Sequence, residues 1–206
     1  MNEVAYKPKF VFAGIGSRET PGNMQAKLAQ VTRRLANLGG QCRSGNAAGA
    51  DISCQWGVHR AIEEDGVDPL ANQIYLPWKA FNFDCVPQCY GAYYDSFTKE
   101  SCKAAEDLMS QLHPKWASLS RGARTLHTRN VFQVYGPDVD EQAVIDFVVC
   151  WTPDGVEHHS RVQKETGGTG SAIRMASLLD IPVFNLFNPD ALNRLAAHLK
   201  TLNLSE

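Results

Sequence analysis

The stretch Lys9–Pro21, KFVFAGIGSRETP, decides the fold. Lys9 to Ile15 is a short apolar run closing among glycines, the pattern of a strand buried on both faces of a parallel sheet. The loop that follows, GIGSRET (Gly14–Thr20), holds two glycines and an Arg–Glu pair. Thr20 and Pro21 then read as the N-cap and first-turn residues of a helix. Leu28, Val31, Leu35 and Leu38 recur at helical spacing, and Gly39–Gly40 stops them.

The same unit repeats outward from this stretch. QCRSG (Gln41–Gly45) is a second strand, a helix runs from about Ala50 to Glu64 carrying Ile52, Trp56 and Ile62, and QIYLPW (Gln73–Trp78) is a third strand. Such alternation implies a parallel sheet with right-handed crossovers. The middle is less regular: an aromatic, turn-rich excursion begins at Lys79, and a helix from Thr98 to Leu112 ends at His113–Pro114. Leu119, Ala123, Leu126, Asn130 and Val134 mark another helix, broken at Gly136–Pro137. IDFVVCW (Ile145–Trp151) is an almost wholly apolar central strand. The polar loop 152–166, expected to be the most mobile element, leads to a third glycine cluster and a helix reaching about Leu179. IPVFNL (Ile181–Leu186) is a fifth strand, and Asn188–Leu202 is a closing helix. The expectation is therefore one α/β, Rossmann-like domain over residues 1–206. It has about five mostly parallel strands, helices on both faces and an irregular insertion at about 79–140. The expected strand order is 3-2-1-4-5, with its switch between the first strand and Ile145–Trp151.

Bulk properties narrow the function. A chain of 206 residues suits one sizeable core. Net charge is −2, from 20 basic and 22 acidic residues, without the basic excess or stripe of a protein that grips phosphate backbones. On that ground nucleic acid is disfavoured as a partner. No window approaches the roughly 20 apolar residues of a membrane span, and MNEVAYKPKF lacks an apolar signal core, so a cytoplasmic protein with reduced thiols is expected. Cys85 and Cys89 form a C-x3-C pair without a second pair or a histidine cluster, so no metal site is expected. Cys42 and Cys150 read as small core residues. No cofactor is expected.

Three loops follow strands and open helices: Gly14–Thr20, SGNAAGAD (Ser44–Asp51), and Gly167–Ser171. In a parallel sheet they gather at the carboxyl edge of the strands, where ligands bind beside the switch. Glycine lets a phosphate approach the backbone, and helix N-termini offer unpaired N–H groups. Gly14, Gly16, Ser17, Arg18, Ser44, Gly45, Asn46, Gly49, Gly167, Gly168, Thr169, Gly170 and Ser171 are thus candidate ligand contacts, although turns favour glycine for their own reasons. None of the loops is a dinucleotide-dehydrogenase or P-loop motif. Arg18 is suited to clamp a phosphate and Glu19 to act as acid or base, unless they form a solvated pair. Asp51 is either a ligand contact or a first-turn acid, and His59 a packed histidine. Arg129, Asn130 and Gln133 share neighbouring helix faces. They either read a base and ribose or tie the insertion to the sheet, with His113 and Trp116 as possible companions. Asp154, Glu157, His158 and His159 lie in the polar loop, from which Glu157 is a candidate acid. Arg174, one turn into the last glycine-loop helix, pairs with phosphate or with its helix neighbours.

FAGIGSRETP resembles the first strand and loop of the Rossmann-like superfamily (SLOG) that includes the DNA-processing protein DprA and the cytokinin-activating LOG phosphoribohydrolases. RSGNAAGADISCQWGVHRA is similar to the S-G-G-A-x-G-x-D-x-x-A-H segment of DprA, with Asp51 and His59 near the matching places. TGGTGSAIRMASLLDIPVFNL looks like the second glycine loop, helix and IPV strand. Over nearly the whole chain the sequence is most similar to a DprA-like family common in bacteriophages, in which HPKW…ARTLHTRNVFQV and DFVVCWTPDG recur. The resemblance implies a nucleotide or nucleotide-derived ligand, a homodimer or higher homo-oligomer, and host cytoplasm for a phage-encoded member. LOG enzymes carry P-G-G-x-G-T-x-x-E, whereas this chain has Ile173 and Arg174 around the glutamate position. The expected function is to sense or sequester a nucleotide-derived small molecule. The alternatives are a hydrolase of an N-glycosidic or phosphoester bond, using Glu19, Asp51 or Glu157, and a DprA-like single-stranded DNA mediator.

Overall fold

The computed structural model describes residues 6–79, 81–82, 98–137, 139 and 144–202. Five parallel strands, β1 (Phe10–Gly16), β2 (Gly40–Ser44), β3 (Asn72–Ile74), β4 (Phe147–Trp151) and β5 (Val183–Asn185), lie in the order β3-β2-β1-β4-β5. That is the order expected from the sequence. Gly16 pairs in register with Trp151, so the first glycine loop leaves the sheet where the order reverses.

Alternation along the strands divides the core. Phe10 and Phe12 of β1 and Phe147, Val149 and Trp151 of β4 face one way, against α1 (Gly22–Asn37), α2 (Ala50–Asp65) and α6 (Ala191–Thr201). Ala13, Ile15, Val148 and Cys150 face the other way, against α3 (Lys99–Leu112), α4 (Arg121–Tyr135) and α5 (Gly170–Leu178). The first face is built on an aromatic stack: Phe147 lies 5.6 Å from Phe10 and 5.7 Å from Phe12. Burying each such ring contributes about 1.5–3 kcal/mol. The second face is covered partly by the stretch read as an insertion, since α3 and α4 both come from it. Cys85 and Cys89 lie outside the described residues. Cys42 and Cys150 are fully buried.

Some boundaries differ from expectation for local reasons. Pro21, not Thr20, precedes α1, and the Thr20 hydroxyl donates to the Ser17 carbonyl at 2.6 Å instead of capping the helix. β3 stops at Ile74, although Tyr75 N–H still donates to the Ser44 carbonyl at 2.9 Å. Pro77 has no N–H with which to extend the ladder. Farther on, Thr98 caps α3 through Ser101 N–H at 3.0 Å and Ser120 caps α4 through Ala123 N–H at 3.3 Å. Among the described residues, no helix is long and apolar enough to cross a membrane, and no group of His, Cys, Asp or Glu is placed to hold a metal ion.

Candidate functional site

At the switch between β1 and β4 the carboxyl edge opens into a cavity of about 540 Å3. It is lined by the first glycine loop, the Lys164–Thr169 segment and α4. The loops read from the sequence do not contribute alike.

The first loop is held rigidly by its own amides. Gly16 N–H donates to Asp51 Oδ1 at 3.1 Å, Ser17 N–H to the Trp151 carbonyl at 2.9 Å, and Glu19 N–H to Ser17 Oγ at 3.1 Å. These three donors are already engaged. Gly14 lies beneath the loop, packed on Cys54 and Cys42. The Arg18 and Glu19 side chains are exposed and stand at the cavity rim.

The second loop packs rather than opens. Gly49, at φ +81°, approaches the first loop so closely that a β-carbon would collide with the Ser17 and Arg18 carbonyls. Gly45 is covered by the guanidinium of Arg129. Ser44 Oγ donates to the Asp51 carbonyl at 3.2 Å, and Asn46 Nδ2 to the Phe81 carbonyl at 2.8 Å, both fully buried. Of this segment only Ala47 and Asp51 line the cavity.

Asp51 and Arg129 form the buried floor, with 5% and 6% of their side-chain surface exposed. Their ion pair is long, Arg129 Nη1 to Asp51 Oδ2 at 3.5 Å. Burial opposes both charges, raising the Asp51 carboxyl and lowering the Arg129 guanidinium, while each partner counters the other's shift. Gln133 stands beside Asp51 and steadies its carboxylate. Even so, Arg129 Nε has no hydrogen-bond partner among the described residues. Leaving a buried donor unmatched costs about 1–3 kcal/mol, and Arg129 lines the cavity.

Asn130 donates from Nδ2 to the Gly168 carbonyl at 3.0 Å, tying α4 to the third glycine loop. That loop is a 3-10 turn over Gly167–Thr169 leading into α5. A β-carbon on Gly167 or Gly168 would meet nothing within 4 Å, so open space lies over both. Gly170 packs on Val162, and Ser171 Oγ shares a 2.7 Å hydrogen bond with His127 Nδ1.

His127 was not singled out in the sequence, although it lies three residues before Asn130 on the same helix face. Burial, with the charges of His113 and Arg129, holds its pKa down at about 4, so the imidazole is neutral near pH 7. Lys164 and Glu165 were missed as well, because a polar loop gives no periodicity by which to rank its members. Glu157 is placed away from the cavity, accepting from Asn185 N–H at 2.8 Å and Arg194 Nη2 at 2.7 Å. Asp154 accepts from the Thr166 hydroxyl at 2.5 Å, which fastens the polar loop across its base. His158 and His159 are tied to Ser160 and Ser177. His59 packs edge-on against Trp56. Trp116 lies outside the cavity beneath Arg124, 5.7 Å from its ring centre.

Fold and site together define an α/β, Rossmann-like protein with a polar crevice at the switch of a five-stranded parallel sheet. No family model matches the sequence, and no curated protein matches it. Among solved structures the fold is similar to that of DNA processing protein A from Helicobacter pylori, described for its single-stranded DNA binding mode. The TM-score is 0.51 at 16% identity, covering 97% of this chain and 75% of that one. This likeness overturns the expectation that nucleic acid is a disfavoured partner, since a protein of this fold binds single-stranded DNA. Net charge was a weak ground for that expectation, because it averages over the whole surface, whereas a strand meets only local charge.

Proposed function

We propose that the crevice binds nucleotide units of single-stranded DNA, with phosphate held at its rim by Arg18 and Lys164 and an acceptor-bearing group reaching its floor. The observation that carries this reading is the buried Arg129 Nε, a donor with no partner among the described residues, on a side chain that lines the crevice. Among the described residues neither Arg18 nor Lys164 has an ion-pair partner, so both cations are available to phosphate. The fold likeness supports the strand as the source of the nucleotide.

A second reading, a free nucleotide held as a signal, is favoured by the depth of the floor, where Asp51, Arg129 and Gln133 are all more than nine-tenths buried. One experiment separates the two. Fluorescence anisotropy with a labelled oligo-dT is run in competition with a panel of free nucleotides. The strand reading predicts saturable binding of the oligonucleotide that nucleotides displace only weakly, reduced about tenfold by Arg18→Ala through loss of a charge-assisted contact. Tight binding of one nucleotide without strand binding would replace the first reading by the second. Products are assayed in the same samples: released base or phosphate that disappears with Glu19→Gln would assign the exposed rim carboxylate a hydrolytic role.

A further inference from the structure

Beside the crevice lies a second cavity, of about 380 Å3, on the far side of the third glycine loop. His127, Lys164, Gly167 and Gly168 line both spaces. Between them stand His127, Lys164 and the bare main chain of the two glycines, with nothing within 4 Å of either β-carbon position. The two cavities differ in charge. The crevice mixes cations with Glu19, Asp51 and Glu165, whereas the second cavity is lined by Lys115, Lys164 and Arg174 and by no carboxylate. Its other walls include Met109, Leu112 and Pro114, a surface for the flat or apolar part of a ligand. Arg174 lies close enough to His113 to oppose its protonation, and burial works in the same direction, so the cavity's positive charge rests on the Lys and Arg side chains.

We infer that the second cavity takes the adjoining nucleotide of the same strand, its phosphate on Lys115 and Arg174, with the backbone crossing between the cavities over Gly167–Gly168. This rests on the nucleotide reading of the crevice and adds a minimum ligand length of two units. It also assigns a purpose to the absence of side chains at Gly167 and Gly168. Gly167, at φ +65°, has a conformational reason to be glycine. Gly168 has neither a positive φ nor a crowded neighbour, so open passage is what remains to explain it.

The test uses the intact chain and two ligands, thymidine 5′-monophosphate and the dinucleotide pTpT, titrated by calorimetry. The dinucleotide is expected to bind at least about tenfold more tightly, the gain of a second charge-assisted contact. The double substitution Lys115→Ala with Arg174→Ala should remove that gain and leave the mononucleotide affinity unchanged. Gly168→Leu, which fills open space, should likewise depress the dinucleotide selectively. Equal affinities for the two ligands, or a double variant that weakens both alike, would overturn the inference while leaving the crevice reading intact. Failure of both ligands to bind would overturn the two readings together.

Discussion

Gly45 illustrates how a glycine read as a phosphate contact can serve a different end. Its missing β-carbon is the space in which Nη1 of Arg129 lies, with Gln133 Nε2 2.6 Å from the same point. Gly45→Ala would therefore drive the guanidinium away from Asp51 and disturb the donors on the cavity floor. The expected result is a loss of about 1–3 kcal/mol in stability, the cost of overpacking a filled site, together with a fall in ligand affinity. Urea denaturation and an oligonucleotide titration measure the two effects. Unchanged affinity in a destabilised protein would show that the position of Arg129 does not govern the site. Sequence alone could not distinguish this use of glycine from a bare anion cradle. The occupying side chain comes from α4, far along the chain.

At the level of elements, the pairing of α1 with α2 shows where periodicity informed and where it misled. The α1 pattern works as read: Leu28 and Leu35 are buried. In α2 the large residues noted in the sequence fill the core least: Trp56 is 40% exposed and Ile52 and Ile62 are only partly buried, while Ala50, Cys54, Gly57, Val58 and Ala61 are buried. Small residues prevail because the helices approach until Gly57 touches the Ala29 carbonyl and Thr32 Oγ1 donates to the Cys54 carbonyl at 2.9 Å. The spacing of large apolar side chains marks the buried stripe of an ordinary amphipathic helix, and it is silent about a contact made by backbone. Gly57→Leu should prise the helices apart and cost about 3 kcal/mol, the upper range for overpacking. The check is the urea midpoint at constant m-value. A variant as stable as the parent would mean that the contact is not tight in solution.

For the whole molecule, alternation of strands and helices was enough to specify a parallel sheet and the edge at which the loops meet, and the strand order expected is the one observed, although alternation alone admits another. Those features depend on short-range pattern and on the handedness of crossovers. The composition of the site was less legible, because it depends on which side chains fill the space once the loops converge. Arg129 fills the second loop, Arg194 draws Glu157 to the other end of the sheet edge, and His127 and Lys164 enter from segments without a distinguishing pattern. Net charge was the least informative quantity. A total of −2 hides a lining in which Arg18 and Lys164 flank the crevice and Lys115 and Arg174 extend the same positive path. This local view has a measurable consequence in the salt dependence of binding. Each phosphate neutralised on a single strand contributes about −0.7 to the slope of log K against log salt concentration. Arg129 is already paired with Asp51 in the interior, so it should release few counterions and contribute little. The two phosphates held by the exposed or partly exposed cations set the slope near roughly −1.4 for a strand occupying both cavities, and Lys115→Ala with Arg174→Ala should make it shallower by about 0.7. Titrations of oligo-dT between roughly 50 and 200 mM salt would measure it. Binding that ignores salt would mean that the strand does not follow this path, however well the crevice suits a nucleotide.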